Sequence, residues 1–425
     1  MKKRSKVWWH PLDNAAKLFP VTSNRTDTKV FRFSCQLKSD VREDILAEAT
    51  AVTLEDFPLF QSVIKRGLFW YYLEKSTQKP VVRQEYRQPC SPIFDKNVKR
   101  LLFEVTYYKK RINLEIHHSL TDGTGAVQFL RTLVMNYLRL ACPELENTEL
   151  ASDYDASGYE KSVDSFDWYY DKQGGAKVPQ GKRPKQVFRF RGHRIPGFKM
   201  KIIEGMMPAG EVLSLCRKKE TTVTVLFAAM MLKAAGTSMS VKQKKRSVVI
   251  KVPVNLRAFF PSSTARNFFS VMQIDYNFST QSEKLEDIIS YVDSFFKSEL
   301  TKEKLLRRMR TMGRLEKNFV MRSVPLSLKD VFMKLAYDIA NRKYTMSLSN
   351  IGVIKLPEVL TSYIDRFDVF VSSDTYKACM CSYNGRLSIS FTSPYEETQI
   401  QKEFFRQLSA AGIPVSVASN EEVQP

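Results

Sequence analysis

The sequence predicts an α+β fold built in two halves. Three observations carry that expectation. Stretches that alternate like strands and stretches with apolar residues at helical spacing recur along the whole chain, but they do not alternate one for one, as a doubly wound parallel sheet requires. At 425 residues the chain exceeds what one ordinary core encloses. Residues 146–198 lose periodicity and fill with Asp, Ser, Gly, Lys and Pro, including "DKQGGAKVPQGKRPK", which reads as a linker. The expected units are therefore residues 1–145 and 199–425, joined by that crossover.

In the first unit "FRFSCQL" alternates like a strand. Residues 41–67 read as helix, with Ile45, Leu46, Ala49 and Val52 at helical spacing and an interruption at Pro58. "FWYYLEKS" reads as a strand, and "RLLFEVTYYKKRINLEIHH" as two strands about a Lys109-Lys110-Arg111 turn. From Gly123 the spacing of Val127, Leu130, Val134, Tyr137 and Leu138 is helical, and Pro143 ends it.

In the second unit "PAGEVLSLCRKKE" and "TVTVLFAAMMLKAA" read as helices, followed by the basic loop "VKQKKR". "SVVIKVPVNLR" and "NFFSVMQIDYNF" read as strands. Helices are expected over "SEKLEDIISYVDSFFKSEL", on to Phe319, and over "SLKDVFMKLAYDIANRK". Four strands follow, "YTMSLSNIGVI", "FDVFVSS", "ACMCSYN" and "RLSISFT", the last two joined by an Asn384-Gly385 hairpin turn. "ETQIQKEFFRQLSAAG" closes as a helix stopped by Gly412.

Composition bounds the function. Hydrophobic residues at 43% and charged residues at 26% are ordinary for a soluble globular chain, and 12% aromatics supports generous cores. The net charge of +21 attracts anions of any kind, whether nucleic acid, acidic lipid, phosphorylated cofactor or acidic protein. No recognisable module for reading nucleic acid is present, so nucleic acid is not an expected partner. The six cysteines show neither CxxC pairs nor zinc spacing and read as reduced and structural. Val7-Trp8-Trp9 is too short for a signal-peptide core, and the run Val225–Leu232 falls short of the about 20 residues that span a bilayer. A cytoplasmic location follows, with peripheral contact to anionic lipid left open. His10 and His193 have no partners at metal spacing, so no metal is expected.

Two of only four histidines are adjacent, in "NLEIHHSLTDGTGAVQFL". Strand alternation puts His118 on the face of Leu114 and Ile116, and His117 on the face of Glu115. At the end of an apolar face an imidazole is partly desolvated, which keeps it neutral near pH 7 and able to take a proton. Asp122 has two roles open to it: to fix the loop through a hydrogen bond or salt bridge, or to cap the following helix. A structural histidine with a capping aspartate fits these residues as well as a catalytic pair does.

"HHSLTDG" matches the HHxxxDG signature with His117, His118, Asp122 and Gly123. The chain resembles the superfamily of chloramphenicol acetyltransferases, peptide-synthetase condensation domains, plant-type HxxxD acyltransferases and alcohol acetyltransferases. "VPVNLRAFF", "TARNFFSVMQIDY" and "SLSNIG" resemble further segments of these enzymes, and "LDNAAKLFP" and "YNGRLSISFTS" look closest to the bacterial alcohol-acetyltransferase-like branch. The resemblance spans nearly the whole chain; the motif is fairly specific and the other pieces are individually weak. The plant-type DFGWG motif and the condensation-domain opening motifs are absent.

The resemblance implies two chloramphenicol-acetyltransferase-like α/β sandwich subdomains, arranged as a V around a central tunnel with the motif at its centre. It implies His118 as general base for direct transfer of an acyl group, acetyl by default, from acyl-CoA to a small alcohol or amine. No acyl-enzyme is implied, in keeping with the lack of a GxSxG elbow. Asp122 is implied to pair with an arginine, Arg257 first and Arg266 second. Gly123 N–H, Ser349 and Asn350 are candidates to hold the oxyanion, although a strand-end turn fits Ser349 and Asn350 slightly better. Lys242, Lys244, Lys245 and Arg246 are candidates for the donor phosphates, or simply a solvated loop. Acyl-CoA is expected as cosubstrate, with no resident cofactor. The alternatives are an acyl carrier protein as donor in a condensation-like reaction, or a catalytically silent or polyanion-binding relative. The basic strip "KEKLLRRMRTMGR" is a candidate membrane-facing surface, though its leucines and methionines at helical spacing point to a core.

Overall fold

The computed structural model of the chain describes residues 9–146, 148, 150, 154, 156–169, 186–317 and 323–421. In chain order the first half contributes β1 (Trp9–Pro11), α1 (Phe19–Thr22), β2 (Val30–Leu37), α2 (Glu43–Asp56), β3 (Ser62–Arg66), β4 (Tyr71–Lys75), β5 (Val82–Gln84), β6 (Phe103–Tyr108), β7 (Arg111–His117) and α3 (Gly123–Ala141). Two short helices follow, α4 (Gly158–Ser162) and α5 (Ser165–Trp168). The second half contributes β8 (Lys201–Pro208), α6 (Ala209–Lys218), α7 (Val223–Thr237), β9 (Val248–Asn255), β10 (Phe269–Tyr276), α8 (Leu285–Glu299), α9 (Lys302–Lys317), α10 (Leu326–Asn341), β11 (Met346–Val353), β12 (Ile364–Val371), β13 (Tyr376–Tyr383), β14 (Arg386–Ser393), α11 (Gln399–Ala410) and β15 (Ser416–Ser419).

These strands form a five-stranded sheet in the order β12-β2-β7-β6-β5, a seven-stranded sheet β10-β9-β11-β13-β14-β8-β15, and a small sheet β1-β4-β3. Each large sheet has its own core. Phe33, Leu114, Ile116, Phe129 and Leu133 anchor the first, with α3 as the packed helix. Phe227, Met230, Ile250, Leu348, Phe391 and Phe404 anchor the second. Helix α7 is buried from Val225 to Leu232 on every side, as a helix apolar all round must be.

The first lobe draws on both halves of the chain. β12, from the second half, pairs antiparallel with β2 and brings Phe367 and Val369 into the first core. Without it β2 would present an unpaired edge. The expected linker is also partly folded: Phe166 of α5 packs with Leu256, Phe260 and Phe268 of the second half. The stretch "DKQGGAKVPQGKRPK" lies outside the described residues, as do residues 318–319 of the helix expected to run to Phe319.

Other departures have local causes. The helix expected over 41–67 stops at Asp56, because Pro58 cannot continue the ladder, and "SVIKR" becomes β3 by pairing with β4. β8 was not expected; eight residue pairs with β14 make it a strand where the local pattern is indistinct. The Asn384-Gly385 turn forms as expected, both residues having positive φ, 44° and 74°. All six cysteines are free, and all but Cys142 are buried. No described helix is long and apolar enough to cross a membrane.

Candidate active site

β7 ends at His117, and the turn that follows leads into α3. The His117 ring is fully enclosed. Its Nδ1 accepts the Ser119 N–H at 3.3 Å, so the proton of the neutral ring sits on Nε2, 2.8 Å from Ser23 Oγ. The Ser23 hydroxyl in turn donates to the Phe19 carbonyl at 2.9 Å. Burial, together with the neighbouring His118, pushes the His117 pKa down to about 3. With both nitrogens engaged, this ring ties the turn to the end of α1.

His118 is held differently. Its backbone N–H donates to the Lys29 carbonyl at 2.8 Å, and its carbonyl accepts the Asn267 amide at 3.0 Å. The ring lies between Phe19 and Phe31, with centroids at 5.1 and 4.3 Å. Nδ1 is sealed from solvent and makes no hydrogen bond of ordinary geometry among the described residues, although the Thr121 backbone lies close enough to act on the ring. Burial lowers the pKa to about 4; Lys377 and Lys29 act in the same direction, and Asp122 and the Thr121 backbone oppose them. The ring is neutral at pH 7. A transfer that uses this ring as base should keep a constant kcat/KM from neutral pH down to about 5 and fall to half near pH 4. An acid limb near 6.5, the ordinary imidazole value, would contradict the assignment.

Asp122 fills both roles left open by the sequence. Oδ1 caps α3 by accepting the Thr124 and Gly125 N–H groups, each at 3.1 Å. Oδ2 accepts Arg257 Nη1 and the Phe268 N–H, each at 2.8 Å. The guanidinium of Arg257 is also bound to the carbonyls of Thr264, at 2.9 Å, and Arg266, at 2.6 Å. It therefore folds the 255–268 segment onto the motif. Arg266, the second candidate, reaches the Pro11 carbonyl at 2.6 Å and lies 3.7 Å from Asp13 instead.

Asp13 and Asn267 escaped the sequence reading. The buried Asp13 accepts the Ala16 N–H at 2.8 Å and the Asn267 amide at 3.1 Å, and that same amide holds the His118 carbonyl. Asp13 lies in "LDNAA" and Asn267 in "RNFFS", short mixed stretches of polar and apolar residues that carry no spacing signal.

Two glycines allow the close approach of the lobes. A Cβ on Gly123 would lie 2.9 Å from Ile351 Cδ1 of β11, and one on Gly125 would overlap the Ala265 carbonyl and the Thr121 hydroxyl. Gly125→Ala is expected to cost about 1–3 kcal/mol in urea unfolding, because a backbone carbonyl must move.

Ser349 stands opposite Cys379 in the β11–β13 ladder. Asn350 is spoken for: its amide donates to Thr224 at 2.9 Å and its carbonyl oxygen accepts the Gly352 N–H at 2.8 Å. Lys242, Lys244, Lys245 and Arg246 precede β9, whose far end leads to Arg257, a separation of about 23 Å by strand rise. Lys244 pairs there with Glu283 at 2.5 Å. On α9, Leu305 and Met309 are buried against Phe260 and Phe268, so the apolar positions of the basic strip belong to a core.

Beside His118 lies a buried charge cluster that no motif indicated. Lys29 pairs with Asp27 and donates to Tyr337 of α10 at 2.6 Å. Lys377 lies 3.5 Å from Asp27 and donates to the Ser372 carbonyl at 2.8 Å. Burial alone would raise the Asp27 pKa, but Lys377 and Lys29 outweigh it and hold the carboxyl well below the usual range. Beyond this cluster opens a cavity of about 640 Å³, lined by Arg25, Thr28, Cys90, Arg194, Phe198 and Ser372.

No family model and no curated protein matches the sequence. Solved structures do. F. graminearum TRI101 complexed with coenzyme A and T-2 mycotoxin has a TM-score of 0.63 at 11% identity, over 95% of this chain and 97% of that one. The TRI3 trichothecene 15-O-acetyltransferase of Fusarium sporotrichioides has a TM-score of 0.60 at 10% identity, over 95% and 94%. The first condensation domain of the CDA synthetase has a TM-score of 0.63 at 12% identity, over 96% and 97%. At these identities the likeness shows the fold: the chain shares the mixed α/β, two-lobed architecture of these acyltransferase and condensation structures.

Proposed function

We propose that the chain is an acyltransferase that moves an acyl group, acetyl by default, from a CoA thioester directly to an alcohol or amine. The observation that carries this reading is His118, a neutral ring fixed through both backbone polar groups at the meeting of two lobes. Its sealed Nδ1 leaves Nε2 for the substrate. In the proposed step Nε2 takes the proton from the acceptor O–H or N–H as that atom bonds to the thioester carbonyl carbon. The tetrahedral oxyanion then collapses, the C–S bond breaks, and the leaving thiolate takes the proton back from the imidazolium. The Gly123 N–H, in the first turn of α3, and Ser349 are our candidates for the oxyanion, whereas the amide of Asn350 is committed elsewhere. Asp122 and Arg257 do not face the reacting atoms; they position the loop.

A thioester is already activated, so binding the two reactants in register supplies much of the acceleration, up to roughly 7–11 kcal/mol. The Lys242–Arg246 loop remains our candidate for an outer contact with the donor's phosphates, and the cavity beyond the Asp27–Lys29–Lys377 cluster for the body of one substrate. Free buried thiols accord with a cytoplasmic location. The condensation-like alternative differs only in the donor. Turnover of acetyl-CoA against the same acetyl group on a phosphopantetheinylated carrier protein separates them. A kcat/KM for acetyl-CoA at least tenfold the higher is expected, and the reverse order would move the assignment to a carrier-dependent enzyme.

A further inference from the structure

Helix α10 is built with two faces. One face locks into the fold: Lys329 donates to the Phe69 carbonyl at 3.0 Å, Asp330 accepts from Tyr71 at 2.9 Å, Tyr337 meets Lys29, and Asn341 donates to Asp374 at 2.6 Å. The helix thus bridges the small sheet of the first half and the β12–β13 loop of the second. The opposite face is apolar and exposed among the described residues. Leu328, Val331, Phe332, Leu335 and Ile339 recur at i, i+3, i+4, i+7 and i+11, with Val331 and Phe332 each 65% exposed. Leu68, at the tip of the β3–β4 turn, is 73% exposed and continues the stripe, since its carbonyl accepts the Leu326 N–H at 2.9 Å. Scattered exposed leucines are normal, but a contiguous stripe drawn from two elements marks a binding surface.

Charge selects the occupant. Arg66 at the end of β3, and Arg342 and Lys343 just past α10, are exposed around the stripe and form no ion pair among the described residues. The two acids of the helix are engaged, Asp330 with Tyr71 and Asp338 with Lys334 at 2.8 Å. The rim is therefore basic, on a chain of net charge +21. Against a second copy of the chain this rim would oppose itself, whereas an apolar stripe edged with arginine and lysine suits a bilayer carrying anionic headgroups.

We infer that the outer face of α10, with Leu68, docks on the surface of an anionic lipid bilayer. The inference rests on the fold and not on the transfer reaction. Because Tyr337 on the inner face holds Lys29, and the Lys29 carbonyl holds His118, docking would set the candidate active site beside the lipid surface.

The test is co-sedimentation of the full chain with vesicles of phosphatidylcholine alone and of phosphatidylcholine with one quarter phosphatidylglycerol. Binding to the anionic vesicles should be at least tenfold tighter, and Val331→Glu/Phe332→Glu/Leu335→Glu should weaken it at least tenfold while the melting temperature is kept. Should that variant fold poorly, Phe332→Trp is a conservative reporter, whose tryptophan should be quenched by brominated lipid in anionic vesicles. Equal binding by a folded triple variant, no quenching at position 332, no binding to either vesicle, or a dimer in sedimentation that the triple variant breaks would each overturn the inference. None of these readouts depends on turnover, so a failed acyltransferase reading and a failed docking surface remain distinguishable.

Discussion

His118→Ala is expected to lower acceptor-dependent release of CoA thiol by about 10²–10⁴-fold, the usual contribution of a positioned base. The ring is enclosed between Phe19 and Phe31, so its removal also leaves a small void. Two readouts separate chemistry from packing. Added imidazole should restore part of the rate to His118→Ala, because a diffusible base can occupy the space that the ring left. His117→Ala should do the opposite: it leaves Ser23 and the Ser119 N–H without their partner and should cost about 1–3 kcal/mol of stability, with no rescue of rate by imidazole.

Asp122→Ala carries the largest expected effect on stability. One carboxylate accepts four hydrogen bonds, two from the first turn of α3 and two from the 255–268 segment of the other half. Removing it leaves the mostly buried Arg257 guanidinium without its counter-charge, and loss of one partner of a buried pair typically costs about 3–5 kcal/mol. Asp122→Asn should be milder at the cap, where an amide oxygen still accepts, yet its amide nitrogen would face two donors, Arg257 Nη1 and the Phe268 N–H. Urea unfolding should therefore rank wild type above Asn and Asn above Ala. Equal midpoints for all three would show that the lobes meet without this pair.

Much of the fold was legible where a local pattern spoke for itself. β7, α3, α7, β13 and the Asn384-Gly385 hairpin carry strong periodicity or turn chemistry, and each lies where that pattern puts it. What escaped was decided by distant partners. β8 and β3 become strands only through β14 and β4, and β12 leaves its own half because β2 needs an edge partner. The site divides in the same way. The spacing of His118, Asp122 and Gly123 is local and visible, whereas Arg257 in "VNLR" comes only with the resemblance, which implies an arginine partner for Asp122. Asp13, Asn267 and the Asp27–Lys29–Lys377 cluster are brought together from opposite ends of the chain, and no spacing rule reports that. Strand alternation puts His117 and His118 on opposite faces, and the hydrogen bonds to both nitrogens of His117 are what commit that ring to a structural role. The exposed face of α10 was equally hidden, since its heptad-like pattern reads as an ordinary core helix until the fold shows which side is covered.

The most direct test of direct transfer is thiol release from acetyl-CoA across a panel of alcohols and amines, for wild type and His118→Ala, with the intact mass of the protein recorded before acceptor is added. The account predicts release only when an acceptor is present, an unmodified protein mass, and loss of release in the variant. Release that is unchanged in His118→Ala, or an acetylated protein formed in the absence of acceptor, would contradict it.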